Sequence, residues 1–124
     1  MSLINPSASR KGWQEFKQKN PSFEKSKGYK GNLGPALDQM AKLFEEIQKV
    51  EAENLRVNAK LVSLAQSYES ASKIAETTLQ EYEKIVTNAR DAKMLAAFNA
   101  FKHTIQPSLQ NGMHAASECP TLRR

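Results

Sequence analysis

The middle of this chain lacks the two residue types that most often interrupt helices. The 124 residues include five glycines and five prolines, but residues 36–106 contain neither. Because glycine and proline are the main helix breakers, this span predicts a long helix. A long helix favours a role in interaction or scaffolding over one in catalysis.

Cysteine is almost absent as well. Cys119 is the only one, so the chain cannot form an internal disulfide, which fits a reducing compartment. Residues 1–10 lack the apolar core of a signal peptide, and no stretch approaches the roughly 20 apolar residues of a membrane span. We therefore expect a cytoplasmic or otherwise intracellular protein, either free or attached to the periphery of a membrane.

Residue clusters that support catalysis or metal binding are also missing. The two histidines, His103 and His114, are far apart, and neither has a cysteine or carboxylate at metal-ligand spacing. Gly28, Gly31 and Gly34 are not followed by the Lys-Ser/Thr pair of a phosphate-binding loop. The sequence therefore predicts that the protein is not an enzyme and has no cofactor, no bound metal and no small-molecule substrate.

Positive charge is concentrated near the N-terminus. Residues 1–34 contain seven lysines and arginines against two glutamates, which accounts for the whole net charge of +5, while residues 35–124 are balanced. Proline and glycine recur in this segment, which is typical of irregular structure. We therefore predict a flexible basic arm over residues 1–34, with a short helix over residues 10–19.

A seven-residue repeat of apolar side chains begins after Pro35, a residue that suits the first turn of a helix. Positions a and d are apolar at nearly every step and position c is never apolar, so the repeat indicates a buried stripe. We predict a long helical segment over residues 35–107, which ends in an apolar cluster, and an irregular tail over residues 108–124. The cluster comprises Leu95, Phe98, Phe101 and Ile105, and the predicted oligomerisation seam comprises Met40, Leu43, Ile47, Val50, Asn54, Val57, Leu61, Leu64, Tyr68, Ala71, Ala75, Tyr82 and Ile85.

Two arrangements of the helical segment remain open. One is a single long helix, because the repeat continues without a change of register. The other is a hairpin that turns within residues 67–72, the weakest helical stretch. Either arrangement leaves the seam open to a partner, so we expect an all-α antiparallel coiled-coil or helical-bundle homo-oligomer, as a dimer or a tetramer. Asn54 then either selects the register of the seam or occupies a partly hydrated position.

The basic arm is the segment most suggestive of binding. Lysines that alternate with aromatic residues can neutralise phosphates and stack on nucleic-acid bases, lie on an anionic membrane or fold onto a protein partner. A solubilising tail, or an arm that covers its own bundle, is the alternative without a binding role. Our leading interpretation is a non-enzymatic scaffold or adaptor that self-associates and binds a protein partner. The candidate residues for partner or anion binding are Arg10, Lys11, Trp13, Phe16, Lys17, Lys19, Lys25, Lys27, Tyr29 and Lys30.

Two short segments resemble membrane-curving BAR domains of the endophilin type. Residues 32–37 are similar to the start of a helix in those domains, and residues 105–109 to the place where they bend. BAR domains are antiparallel dimers of long helices, often preceded by a basic amphipathic segment, so the resemblance implies lipid binding through basic residues. The alternatives to the adaptor are therefore a peripheral membrane module that uses the basic arm and an architectural protein that binds nucleic acid.

Overall fold

The computed structural model describes residues 3–52 and 59–118, and within these ranges the chain is helical and contains no β-strand. The predicted all-α fold class is thus confirmed. In these ranges four α-helices are accompanied by two short 3₁₀ helices, at Pro21–Lys25 and at Ala116–Glu118. The α-helices are α1 at Ser7–Lys19, α2 at Leu33–Ala52, α3 at Ala59–Ala89 and α4 at Ala92–Gly112.

Helices α2 and α3 form an antiparallel hairpin. Leu33, the first residue of α2, contacts Tyr82 near the end of α3, so the two helices run in opposite directions. Helix α2 ends at Ala52 and α3 begins at Ala59, whereas residues 67–72, where the sequence suggested a turn, lie inside α3. That stretch contributes buried side chains to the packed face of α3, and tertiary packing outweighs a weak helix propensity.

The helix predicted over residues 35–107 is interrupted at Arg90 and Asp91. Arg90 has a left-handed backbone with φ of 56°, a conformation that commonly ends helices. Asp91 then caps α4, because its carboxylate accepts hydrogen bonds from the backbone N–H groups of Lys93 and Met94, both over 3.1 Å. A turn without glycine or proline therefore separates α3 from α4, and the prediction of a single long helix is wrong.

Helix α4 continues past Pro107 and ends at Gly112, whereas the sequence predicted an irregular tail from residue 108. A proline inside a helix costs about 3 kcal/mol or more, because it lacks an N–H and crowds the preceding turn. Ile105 and Leu109 on either side of it are fully buried, and burying such a side chain contributes about 1.5–3 kcal/mol. Packing of this face keeps residues 108–112 helical.

The predicted seam is buried within the chain itself. Helix α3 packs against α2 and α4, and α1 packs against α4 and α2. The apolar stripe is therefore shielded from water by helices of the same chain. Asn54 and Val57 lie outside the described residues. Self-association stays a prediction, and the seam is occupied by the chain's own helices. Of the other seam residues, Ile85 is half-buried and the buried ones are Met40, Leu43, Ile47, Val50, Leu61, Leu64, Tyr68, Ala71, Ala75 and Tyr82.

The N-terminal segment belongs to this bundle. In place of a flexible arm, residues 3–34 contain α1 and a 3₁₀ helix, and α1 begins three residues before the helix that the sequence predicted over residues 10–19. The backbone N–H of Ile4 donates a hydrogen bond to Asn111 Oδ1 over 2.9 Å, which joins this segment to the end of α4. The segment is ordered because its aromatic residues complete the core.

Candidate functional site

Four aromatic residues of the N-terminal segment converge on α3 and α4. Trp13 and Phe16 lie one turn apart on α1, and the centroid of the Trp13 ring is 5.4 Å from that of Tyr82 and 5.7 Å from that of Phe101. Aromatic pairs at such distances contribute about 0.5–1.5 kcal/mol beyond the burial of their area. We call this group the aromatic cluster, and its members are Trp13, Phe16, Phe23, Tyr29, Tyr82, Phe98 and Phe101.

Tyr82 connects the aromatic cluster to the start of α2. Its phenol oxygen accepts a hydrogen bond from the backbone N–H of Leu33 over 3.3 Å, and its ring centroid lies 5.3 Å from that of Tyr29. Burial raises the pKa of Tyr82, and burial together with the neighbouring Tyr82 raises the pKa of Tyr29 to about 12. Both phenols therefore stay protonated at neutral pH, and neither supplies a general base.

Burial divides the residues that the sequence suggested for binding into two groups. Trp13 is 1% exposed and Phe16 is 3% exposed, and the neighbouring Phe23 is also fully buried, so these rings have no free face for a base or a lipid. Tyr29 is half-buried between the cluster and solvent. The basic residues stay at the surface, and we call them the basic N-terminal surface, which consists of the half-buried Lys17 and the exposed Arg10, Lys11, Lys19, Lys25, Lys27 and Lys30.

Most charges of the basic N-terminal surface are uncompensated. Arg10 Nε lies 2.9 Å from Asp38 Oδ1 on α2, but these side chains are 47% and 63% exposed, and an exposed ion pair contributes only about 0–1 kcal/mol. Lys17 Nζ lies 5.7 Å from the centroid of the Trp13 ring. Within residues 3–52 and 59–118, the other five lysines of this surface form no ion pair. They stand beside two exposed acidic residues of the same segment, Glu15 and Glu24.

A groove of about 430 Å³ runs between α1 and α4. Phe16 and Phe101 line its base, since both are almost completely buried. Gly12 permits the close approach of α1 to α4, because a Cβ atom at this position would lie 3.2 Å from Cδ1 of Phe101. Lys11 and Lys19 lie along its α1 side, and the remaining lining residues are Ala8, Glu15, Asn20, Ala97, Ala100 and Thr104.

A second concave surface lies between α2 and α3. It consists of two adjoining hollows of about 480 and 350 Å³, which share Gln39, Ala71 and Ile74. Ile74 is 55% exposed, which is unusual for so large an apolar side chain in this fold. Of the described residues that line this surface, Lys30 alone is charged; the others are Asn32, Pro35, Ala36, Ser63, Gln66, Ser67 and Ser70.

Sequence reasoning identified the aromatic and basic residues but neither groove. Of the apolar cluster predicted near the end of the long helix, Phe98 and Phe101 join the aromatic cluster, Ile105 is buried elsewhere in the core and Leu95 is half-buried. Each groove includes alanine, serine or glycine residues, which stand out in no hydrophobic or charge pattern. The one available signal is Gly12 inside a predicted helix, since a glycine there suggests close packing.

The described residues contain no arrangement that suggests a metal site. His103 and His114 are both exposed, and within residues 3–52 and 59–118 no three His, Cys, Asp or Glu side chains lie together as metal ligands would. Among the described helices, none combines the length and the apolar character needed to cross a membrane.

The resemblance to BAR domains implies long helices and a bend near residues 105–109; the described residues form four α-helices, and Pro107 lies inside α4. No protein-family model, no curated protein and no solved structure matches this chain.

Proposed function

We propose that this chain is a non-enzymatic helical adaptor whose basic N-terminal surface binds an acidic protein partner. The observation that supports the proposal is the separation of lysines from aromatic residues within one segment. The aromatic side chains lie in the core, while the lysines face solvent. Because five of these lysines have no ion-pair partner among the described residues, a complementary acidic surface would neutralise them on binding.

Burial of the aromatic rings favours a protein over nucleic acid or membrane. Proteins that bind single strands stack bases on accessible aromatic side chains, and interfacial helices insert Trp, Phe or Leu into the lipid. Trp13, Phe16 and Phe23 are at most 3% exposed, so either mode would require the core to open. Positive charge and a shallow groove remain accessible, and these suit a protein surface.

Charge reversal tests the proposal. The probe is poly-L-glutamate at about 150 mM salt, where the screening length is about 8 Å. We expect reversal of four lysines in the basic N-terminal surface to weaken binding at least about tenfold, and we expect the same change in net charge elsewhere to have little effect. The test variant carries glutamate at Lys11, Lys19, Lys25 and Lys27, and the matched control carries it at the exposed Lys42, Lys49, Lys84 and Lys93.

Two outcomes contradict the proposal. Equal loss of binding in both variants would mean that only the net charge matters. Tighter binding of the parent protein to single-stranded RNA or to phosphatidylserine vesicles than to poly-L-glutamate would favour one of the alternative functions. Circular dichroism of both variants verifies that the helical fold persists.

Self-association remains part of the proposal, but it needs a surface other than the seam. The α2–α3 surface is the candidate, because its lining includes the exposed Ile74 and a single charged residue, Lys30. We expect Ile74→Lys to convert an associated form to monomer in sedimentation velocity experiments, while Lys84→Glu on the far part of α3 leaves it unchanged. A parent protein that sediments as a monomer at high concentration would contradict self-association.

A further inference from the structure

We infer that the α1–α4 groove seats one amphipathic, acidic helix of the protein partner. The inference rests on the proposed function and names the element that the basic N-terminal surface recognises. The groove combines an apolar lining, at the half-buried Ala97 and the exposed Ala100, with positive charge along one side, at Lys11 and Lys19. This combination matches a helix with one apolar face and acidic flanks.

The length and shape of the groove fit a helix. Its α1 side extends from Ala8 to Lys19, which is ~17 Å at about 1.5 Å per residue and equals about three helical turns. Gly12, Ala97 and Ala100 line the groove without long side chains. Since the distance between packed helix axes is set by the side chains at the contact and falls toward about 8 Å for small ones, a third helix can lie close to both α1 and α4.

The charges along the groove specify where the partner must be acidic. Lys11 and Lys19 are separated by ~12 Å along α1, and Glu15 lies between them in the same lining. Two acidic residues about two turns apart on the partner helix would therefore each meet a lysine. A third one between them would meet Glu15 and be repelled.

Two synthetic peptides of about fifteen residues, long enough for some helix formation, test the inference against the full chain. The first carries glutamates at i and i+7 and leucines at i+3 and i+4, all on one face. The second has the same composition, with the leucines and glutamates moved to opposite faces. Fluorescence anisotropy is expected to show that the first peptide binds at least about tenfold more tightly.

Substitutions on α4 locate the binding site. Ala100 lines the groove and is exposed, so Ala100→Tyr fills the groove without entering the core. Ala96 is exposed on α4 outside this lining and provides the matched control, Ala96→Tyr. We expect Ala100→Tyr and the smaller Ala100→Glu to weaken binding of the first peptide about tenfold or more, and Ala96→Tyr to leave it unchanged.

The outcomes separate this inference from the proposed function. Equal affinity for the two peptides, or full affinity in both Ala100 variants, overturns the groove as the site. If poly-L-glutamate binds and depends on the basic N-terminal surface while neither peptide binds, the inference fails and the proposed function stands. If poly-L-glutamate does not bind at all, the proposed function fails and the inference fails with it.

Discussion

Leu33 and Tyr82 are joined by a hydrogen bond of 3.3 Å, from the backbone N–H that opens α2 to the phenol oxygen near the end of α3. The first N–H groups of a helix have no partner within the helix and are usually satisfied by a nearby side chain or by water. Here the acceptor comes from a distant part of the chain, and its ring also packs against Trp13, 5.4 Å away between centroids. One side chain thus links α1, α2 and α3.

Tyr82→Phe should destabilise the fold by about 1–3 kcal/mol, because it leaves the buried backbone N–H of Leu33 without its acceptor. The phenyl ring keeps its packing, so the loss of stability is due to the missing hydroxyl alone. Urea unfolding followed by circular dichroism measures the change in the free energy of unfolding. Tyr29→Phe removes a hydroxyl from a half-buried ring and is the matched control, for which we expect a smaller loss. A Tyr82→Phe protein with the parent's unfolding midpoint would contradict this role.

The three tyrosines should make stability fall at high pH. Burial raises the pKa of Tyr29 and Tyr68 to about 12 and also raises that of Tyr82, whereas a tyrosine in an unfolded chain titrates near 10. Since the folded-state values are the higher ones, the stability that the neutral phenols confer is complete below about pH 10 and declines toward about pH 12. Phenolate absorbance and circular dichroism measure ionisation and folding in one titration.

We expect little phenolate in the folded protein at about pH 10, followed by a joint change of both signals at higher pH. The same chain in concentrated urea should titrate near the ordinary tyrosine value. Half-ionised tyrosines in a protein with an intact helical spectrum at about pH 10 would contradict the burial of these hydroxyls.

Gly112→Ala should destabilise the contact between α3 and α4. An added Cβ atom would overlap Ser72 Oγ and lie 2.8 Å from Cε1 of Tyr68, and overpacking of this kind costs about 1–3 kcal/mol. The matched control in thermal unfolding is Gly34→Ala. An added Cβ atom there would lie 3.6 Å from its nearest neighbour, Trp13 Nε1, and alanine has a higher helix propensity than glycine. We expect Gly34→Ala to be neutral or slightly stabilising; a similar loss in both variants would contradict the close approach at Gly112.

Two substitutions in the α3–α4 turn should have opposite effects. Arg90→Gly relieves a left-handed backbone conformation and should stabilise the fold by about 0.5–1 kcal/mol. Asp91→Ala removes the cap of α4 and should destabilise it by about 1 kcal/mol. Urea denaturation measures the free energy of unfolding of each variant, which should rise for Arg90→Gly and fall for Asp91→Ala. A destabilised Arg90→Gly protein would mean that the arginine side chain, and not the backbone at this position, decides the stability of the turn.

The helical character of the chain could be predicted from sequence, but the identity of the packing partners could not. A seven-residue repeat indicates that Met40 and Leu61 face an apolar environment, whichever helix supplies it. It does not distinguish a second chain from helices of the same chain. The interruption at Arg90 was missed because the residues there include neither glycine nor proline, and the remaining signal is Asp91 ahead of Ala92, a weak sign of a helix start.

The candidate site was only partly predictable for a related reason. Trp13 and Phe16 one turn apart indicate a shared helix face, yet their spacing does not say whether that face meets solvent, a ligand or the core. Phe98 and Phe101, the rings that cover them, are far away in sequence. The groove beside them depends on Ala100, a residue that only the folded arrangement of α1 and α4 makes informative.

The placement of the aromatic cluster has a consequence for how the protein is made. Helix α1 leaves the ribosome before the residues of α4 that cover Trp13 have been joined to the chain. The rings of Trp13 and Phe16 therefore lack their α4 partners until that helix emerges. Completion of the aromatic cluster thus waits for α4, the last of the described α-helices to be translated.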